Sequence, residues 1–266
     1  MVLDEMKEIR KQNGLSYEYI ARKSGVPLST VQKAFGGVTS PRKETLDKLA
    51  LAFRETSFYV AGSSAEKMSD AGVISGRKNG EYTIEDYYAL PEDRRAELID
   101  GVFYDMASPT RTHQVILSEL HYMIESEIRK RKGPCKTYLA PSDVQIDKDD
   151  RTMVQPDLFI LCNKEQRKYV EKTWGAPDFI AEILSPSSRS HDMVRKLNKY
   201  YEAGVREYWI VDPRDRRILT YQFERDLTAN VYTFKDVIPM AIYDGKIKVD
   251  FSRITKVLIE EIGEKF

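Results

Sequence analysis

The chain has 266 residues and a balanced charge, with 42 basic and 42 acidic side chains, so its overall charge identifies no binding partner. That length leaves room for two domains of ordinary size, and the 41% share of hydrophobic residues is enough for packed cores. No apolar run approaches the roughly 20 residues that a membrane span needs, and the N-terminus lacks a targeting pattern, so we expect a cytoplasmic protein without a membrane partner.

The two cysteines, Cys135 and Cys162, show no metal-type spacing and have no signal peptide ahead of them. A reducing cytoplasm is therefore the default, and we expect no disulfide framework. None of the three histidines has the spacing of a zinc site.

The first 60 residues predict a small all-α domain of short helices with clear stop signals between them. Gly25 stands where a left-handed residue commonly ends a helix, and Ser40-Pro41 supplies an N-cap followed by a proline at the first helical position. Residues 1–57 carry 10 basic and 7 acidic side chains, which permits contact with nucleic acid. Helices are expected at about 5–12, 17–24, 28–35 and 42–53.

Residues 16–37 have the anatomy of a helix-turn-helix, in which a capped helix and a tight turn lead to a second helix for the major groove. Ser29 and Thr30 are short polar side chains in the first turn of that second helix, where they would let its backbone approach base edges. Gln32 and Lys33 could reach acceptors on bases or phosphates. We therefore expect these four residues to contact DNA.

Residues 9–53 resemble the Cro and phage-repressor (XRE-type) helix-turn-helix family over nearly its whole length. The resemblance implies a DNA-binding domain. Phe35 stands where the family usually has a glutamate, and Pro27 stands where a polar cap is usual. The alternative is a small helical domain used for protein contact or dimerisation.

The stretch 62–80 is rich in glycine, serine and charge and poor in large apolar residues, which is typical of a linker. We therefore expect a helix-turn-helix domain at 1–60, a linker at 61–80 and a second domain at 81–266.

After the linker, strand and helix patterns mix in the order of an α/β domain. Thr83 with Asp86 is expected to cap a short helix that Pro91 ends. Asp100-Gly101 predicts a two-residue hairpin turn between two short strands. Apolar residues at helical spacing predict a long amphipathic helix over about 111–132, and a strand–helix–strand crossover is expected over about 179–211. Further strands are expected at about 136–146, 153–161, 179–184, 207–211 and 218–223, with a helix at about 191–203.

Two carboxylates interrupt strands that are otherwise apolar, Asp157 in one and Glu182 in the other. A carboxylate is costly to bury unless a cation or hydrogen bonds meet it, and two of them on adjacent strands repel each other. A divalent cation resolves that repulsion, and Mg²⁺ prefers oxygen ligands. The pattern therefore predicts a Mg²⁺ (or Mn²⁺) site that activates water toward a phosphodiester.

A lysine adds to this chemistry in the helix expected after Ser185-Pro186. Asp192, Lys196 and Tyr200 are spaced four residues apart and share one helix face. If the helix folds back over the strand end, Lys196 would orient the attacking water or stabilise charge in the transition state.

The segments APSDVQID, VQPDLFILC and GAPDFIAEILSPSSRSHDMVRKLNKYYEAGVREYWIVDP resemble the Uma-type restriction endonuclease family, within the PD-(D/E)XK nuclease superfamily. The resemblance covers about residues 80–260 and implies a restriction-endonuclease-like mixed sheet flanked by helices. It also implies that Asp157 and Glu182 bind the metal, with the Ile183 carbonyl nearby.

The motif's usual lysine position holds Leu184 in this chain. A known variant of the family moves that lysine to the following helix, so the resemblance implies that Lys196 is the catalytic cation. Glu97 lies in the family's Glu-Leu-Ile-Asp-Gly segment and is implied as a further acidic member of the site. His113, on the inner face of the long helix, is either a site residue or a satisfied core histidine.

Each candidate also has a purely structural interpretation. Glu182 and Lys196 could form only an ion pair, and Glu97 could be a surface acid beside the turn. The remaining alternatives are a turn or site-edge role for Asp143, a capping role for Asp192, and core positions for Tyr200, Tyr201 and Trp209.

These features together predict a metal-dependent endonuclease that acts on DNA as a homodimer, with the helix-turn-helix domain for targeting. The main alternative is a transcriptional regulator whose catalytically silent nuclease-like domain serves dimerisation or ligand sensing. An antitoxin-like or immunity-associated DNA binder would explain the first domain but would leave the carboxylates unexplained.

Overall fold

The computed structural model describes residues 3, 6, 7, 10, 17–39, 41–50, 77–147, 149–185 and 195–263. Two compact units divide the chain, Met1–Glu66 with Ser190–Asn198 and Lys67–Arg189 with Lys199–Phe266. Most of the expected linker, together with the expected caps Ser40 and Asp192, lies outside the described residues. The predicted domain boundaries therefore stay predictions. No helix in these ranges is both long enough and apolar enough to cross a membrane.

The first unit contains the two helices expected for a helix-turn-helix, α1 (Tyr17–Ser24) and α2 (Leu28–Phe35). Gly25 follows α1 with a φ of 67°, the left-handed conformation that glycine adopts without steric cost. The third helix, α3, covers 43–50, so it begins slightly later than expected. The buried core of this unit includes Ile20, Val26, Val31, Ala34, Phe35 and Leu49.

Phe35, which departs from the family pattern, is buried in the first unit and packs on Tyr17 with 6.1 Å between ring centroids. Pro27 occupies the N-cap position of α2 and provides no side-chain hydrogen bond there. Both departures thus concern packing and capping, because neither side chain adds a polar group to the exposed face of α2.

The second unit is built on a six-stranded mixed sheet. Its strands are β3 (Lys136–Leu139), β5 (Leu158–Leu161), β7 (Phe179–Ile183), β8 (Glu207–Asp212), β9 (Arg217–Gln222) and β10 (Ala229–Thr233). They lie in the order β10-β9-β8-β7-β5-β3. Strands β7 and β8 run parallel, as the expected crossover requires, and the other neighbouring pairs are antiparallel.

Smaller elements complete this unit. They are the hairpin of β1 (Ala96–Ile99) and β2 (Val102–Asp105), the pair of β4 (Val144–Gln145) and β6 (Thr173–Trp174), the pair of β11 (Val237–Pro239) and β12 (Lys248–Asp250), and the helices α4 (Ile84–Tyr88), α5 (Arg111–Lys130), α6 (Leu197–Ala203) and α7 (Phe251–Ile262). Asp100 and Gly101 both have positive φ, which confirms the predicted hairpin turn.

The main core lies between one face of the large sheet and the helices α5 and α7. Residues of α5 at helical spacing are buried there, as the amphipathic pattern predicted. A second core joins α4 to the β1–β2 hairpin, and Thr83 and Asp86 form the expected capping box at the start of α4. These cores fix the positions of the strand ends at which the candidate site lies.

Two expected strands are shorter in the structure. The run 136–146 divides into β3 and β4, and Pro141, which has no N–H to donate, lies between them. The run 153–161 contains β5, while Met153 and Val154 form only isolated bridges with β1 and β4. The elements after residue 223, including α7, were not predicted from the sequence.

The expectation of no disulfide is wrong for this structure, because Cys135 and Cys162 are bonded to each other. They lie directly opposite each other, one position beyond the Lys136↔Leu161 pair of β3 and β5. This proximity arises from strand pairing across 27 residues, which cysteine spacing in the sequence does not reveal.

Candidate active site

Asp157 and Glu182 lie opposite each other on neighbouring strands. Leu158 of β5 pairs with Ala181 of β7, and the antiparallel register places Asp157 and Glu182 at the next position. Directly opposed side chains in such a pair point to the same face, with Cβ atoms about 4.5–5.5 Å apart. Glu182 is 3% exposed, so the structure brings a nearly buried carboxylate beside a second one.

The two oxygens of Asp157 have different surroundings. Oδ2 accepts hydrogen bonds from the Ile183 N–H at 2.7 Å and from His113 Nε2 at 3.0 Å. Among the described residues, no group donates a hydrogen bond to Oδ1. Asp157 is thus held in place through one oxygen, while the other is available as a ligand.

His113 lies in the first turn of α5, whose N-cap Thr110 accepts a hydrogen bond from the His113 N–H at 3.2 Å. Its Nε2 must carry the proton, since the carboxylate of Asp157 can only accept. The ring is 7% exposed, and Nδ1 has no hydrogen-bond partner in the described part of the chain. The structure therefore places His113 against Asp157 rather than in an apolar core.

Glu182 is held by a tyrosine of α6. The Tyr200 hydroxyl donates to Glu182 Oε1 at 2.7 Å, and the Asp157 N–H approaches Oε2 at 3.4 Å. Tyr200 is fully buried and packs edge-on against Tyr208, in agreement with its expected core position. Lys196 is also buried and lies in the helical turn just before α6.

Glu97 is 3% exposed, which excludes its interpretation as a surface acid. Its Oε1 accepts a hydrogen bond from the Gln155 N–H at 2.8 Å. The hydrogen bond links β1 to the backbone two residues before Asp157, so Glu97 is tied to the segment that leads to the carboxylate pair.

A polar network next to Glu97 was not predicted from the sequence. The Tyr87 hydroxyl donates to Asp143 Oδ1 at 2.8 Å, and Gln155 Nε2 donates to both of these groups at 2.9 Å. Burial and the adjacent Asp143 carboxylate raise the pKa of the Tyr87 hydroxyl well above its usual range, so the hydroxyl stays a donor. The one sequence feature that could have indicated this network is the polar residue Gln155 between Val154 and Pro156.

A second acidic cluster lies elsewhere in the unit. Asp100, Asp147 and Asp149 bring carboxylate oxygens within 4.8 Å of one another. Lys199 of α6 forms ion pairs with Asp100 and Asp147, so an ammonium group already balances part of this charge. Burial lowers the pKa of Lys199, but the hydrogen bonds to these carboxylates outweigh it and raise the pKa above its usual value. The cluster therefore ties α6 to the β1–β2 turn.

The carboxylate pair suits a hard divalent cation better than the lysine-bound cluster does. Asp157 offers an oxygen without a hydrogen-bond donor, and Glu182 lies opposite it at the strand end. Carboxylate and carbonyl oxygens are the ligands that Mg²⁺ and Mn²⁺ prefer. The residues present thus fit such an ion.

The candidate DNA-binding residues lie on α2. Ser29, Gln32 and Lys33 are exposed, while Thr30 is partly buried. Positions 29, 32 and 33 are spaced three and four residues apart, so their side chains share one face of the helix. The opposite face packs into the core through Val31, Ala34 and Phe35.

A mixed sheet with paired carboxylates at its strand ends, preceded by a helix-turn-helix, defines a restriction-endonuclease-like protein with a DNA-binding domain. The chain belongs to the Uma2 family, described as "Putative restriction endonuclease", whose model matches residues 84–240. A helix-turn-helix family model matches residues 6–60. The two resemblances expected from the sequence are therefore confirmed.

A solved structure has a similar fold over about two thirds of this chain. It is described as "a putative nuclease belonging to DUF820" from Anabaena variabilis, and it matches with a TM-score of 0.56 and 19% sequence identity. The match covers 66% of this chain and 98% of that chain. No curated protein gives a significant sequence match.

Proposed function

We propose that the chain is an endonuclease that uses Mg²⁺ or Mn²⁺ to hydrolyse phosphodiester bonds in DNA. The observation that carries this proposal is the cross-strand pair of Asp157 and Glu182, with one carboxylate oxygen of Asp157 left available. Family membership supports the nuclease class, and the carboxylates supply the chemistry that such a reaction requires.

The ion would be held by carboxylate oxygens of Asp157 and Glu182 and by the Ile183 carbonyl. When bound, it supplies positive charge that offsets the charge developing on the phosphate. Hydrogen bonds from His113 and from the Ile183 N–H orient the Asp157 carboxylate, and the Tyr200 hydroxyl orients that of Glu182. Ligands held in this way need little rearrangement when the ion binds.

Lys196 and Glu97 complete the proposed chemistry. The Lys196 ammonium orients the attacking water and stabilises negative charge in the transition state, as a compact point charge can. Glu97 holds the backbone that leads to Asp157 through its hydrogen bond with the Gln155 N–H. The burial of both residues keeps their charges in a medium of low dielectric, where they act more strongly.

The helix-turn-helix domain at residues 1–60 delivers this centre to duplex DNA. Ser29 and Gln32 on the exposed face of α2 contact base edges, and the partly buried Thr30 lies at the edge of the same contact surface. Lys33 contacts phosphate. The chain acts as a homodimer, so that two helix-turn-helix domains contact two half-sites.

The experiment is cleavage of plasmid DNA with Mg²⁺ or Mn²⁺ and with EDTA. We expect wild-type protein to cut only with the metal, and Lys196→Ala to lower the cleavage rate by roughly 10²- to 10³-fold, as for the loss of one preorganised charge. Lys196→Arg should also be impaired, because a planar guanidinium replaces a point charge poorly. Lys256→Ala, at an exposed lysine of α7, is the matched control and should cut normally.

Two results would contradict the proposal. Wild-type protein that hydrolyses no nucleic acid with either metal would favour the transcriptional regulator with a silent domain. Equal cleavage rates for wild-type protein and Lys196→Ala would show that Lys196 takes no part in catalysis and has only a structural role.

A further inference from the structure

Two partly or largely exposed rings lie around one lysine on the surface of the second unit. Lys172 Nζ lies 5.8 Å from the ring centroid of Tyr88 and 5.6 Å from that of Trp174, both within cation–π range. Tyr88 is 55% exposed, and Trp174 is partly exposed. We call Tyr88, Lys172 and Trp174 the aromatic platform.

The aromatic platform adjoins the network beside the candidate active site. Tyr88 follows Tyr87, whose hydroxyl bonds Asp143, and the two tyrosine rings meet edge-on at 5.4 Å. On the other side, the Thr173 N–H donates to the Asp143 carbonyl at 2.8 Å, which places Trp174 next to the same residue. Gln155, two residues before Asp157, bonds the Asp143 side chain. The aromatic platform and the segment that leads to Asp157 are therefore linked through Asp143 and Gln155.

The charge of the platform suits a phosphate backbone. Lys172 forms no ion pair among the described residues, so its ammonium remains available to an anion. The segment 163–174 that carries it has four basic and two acidic residues. The nearby acids are Asp143, which Tyr87 and Gln155 already bond, and Glu171.

We propose that the aromatic platform binds an unpaired nucleotide of the substrate strand, with its base in contact with both Tyr88 and Trp174 and an adjacent phosphate on Lys172. This inference rests on the proposed nuclease function and names the form of substrate that the site accepts. Bases within a duplex hide their faces in the stack, so only a single-stranded or flipped nucleotide can meet an aromatic ring. Stacking on aromatic rings beside basic side chains is how proteins hold single strands without reading their sequence.

The two tryptophans of the chain make binding directly observable. Trp209 is fully buried and Trp174 is partly exposed, and residues 1–66 contain no tryptophan, so a stacked base should quench Trp174 alone. We would titrate the full-length protein in EDTA with a single-stranded hexamer of deoxythymidine. Wild-type protein should show saturable quenching, and Trp174→Phe should abolish it.

Variants of the platform then test its chemistry. Tyr88→Ala should weaken hexamer binding by about 5- to 150-fold, the range expected for one stacked base, and Tyr88→Phe should retain most of it. Lys172→Ala should lower the slope of log affinity against log salt by about 0.7, as for one phosphate contact with a single strand. Tyr122→Ala, at a tyrosine that is 68% exposed on α5, is the matched control and should bind like wild type.

A hexamer that is abasic at every position separates stacking from phosphate attraction, and we expect it to bind far more weakly than the deoxythymidine hexamer. Three results would each contradict nucleotide binding by the aromatic platform. They are equal binding of the two hexamers, no quenching in wild-type protein, and unchanged binding by Tyr88→Ala. These readouts use EDTA, so an inactive nuclease centre does not affect them. Conversely, metal-dependent cleavage with an unchanged KM in Tyr88→Ala would keep the nuclease proposal and reject the platform.

Discussion

Asp157 shows how one side chain serves both the fold and the candidate site. Its Oδ2 accepts two hydrogen bonds from groups that come from α5 and β7, while Oδ1 accepts none from the described residues. A carboxylate with two donors on one oxygen is fixed in orientation before any ion arrives. The side chain is therefore a good place to test metal binding separately from catalysis.

We expect Mg²⁺ or Mn²⁺ at ten times its Kd to raise the Tm of wild-type protein by about 3–5 °C, because the ion binds only the native state. In Asp157→Ala this increase should largely disappear. Differential scanning fluorimetry with and without the metal measures the increase within each variant. Because each variant is compared with itself, the result does not depend on the stability that Asp157→Ala loses when His113 and the Ile183 N–H have no acceptor.

Asp149→Ala is the matched control, because Asp149 belongs to the second acidic cluster and should leave the metal-dependent increase intact. The opposite result is a metal-dependent increase in Tm that is lost in Asp149→Ala and kept in Asp157→Ala. It would show that the metal binds at the cluster of Asp100, Asp147 and Asp149 instead.

Helix α2 is the element on which DNA targeting depends. It buries one face and leaves Lys33 exposed on the other with no ion pair among the described residues. A basic side chain on the exposed face of a recognition helix can contribute a phosphate contact, which sets affinity more than sequence choice.

Lys33→Ala should therefore weaken duplex binding at all sequences alike and lower the salt slope by about 0.9, the contribution of one phosphate contact. Fluorescence anisotropy at several salt concentrations, in EDTA, gives both quantities. Lys48→Ala provides the comparison, since Lys48 is an exposed lysine of α3 that is already paired with Glu44 at 2.9 Å. If Lys33→Ala and Lys48→Ala behave alike, α2 is a protein-contact element and not a DNA reader.

At the scale of the whole molecule, the second unit contains its own sheet, cores and carboxylate pair. Described residues just before the predicted boundary at residue 81 already contact this unit. Arg77 Nη1 donates to Asp86 at 2.9 Å, and the Gly80 N–H donates to the Gly101 carbonyl at 2.7 Å. A fragment that starts at Arg77 keeps these contacts.

A fragment of residues 77–266 should fold on its own, melt cooperatively and retain metal-dependent cleavage, with weaker binding to duplex DNA than the full chain. Circular dichroism and the plasmid assay measure these properties. An insoluble or unfolded fragment would show that the predicted boundary is wrong.

The sequence by itself determined the elements whose signals act over a few residues. The bounds of α1 and α2, the Asp100-Gly101 turn and the capping box of α4 were all predicted correctly. Capping, positive φ at glycine and helical periodicity each involve neighbours within one or two turns, so they can be read from the chain directly. The sequence also singled out Asp157 and Glu182, because a carboxylate inside an apolar strand is costly without a partner.

Only the tertiary structure decided which residues meet. Strand register placed Asp157 opposite Glu182, and it also joined Cys135 to Cys162 against expectation. The hydrogen bond from Gln155 to Glu97 spans 58 residues, and the ion pair of Lys199 with Asp100 spans 99. Such contacts depend on sheet order and register, which are set by the packing of the whole core, so no local pattern in the sequence specifies them.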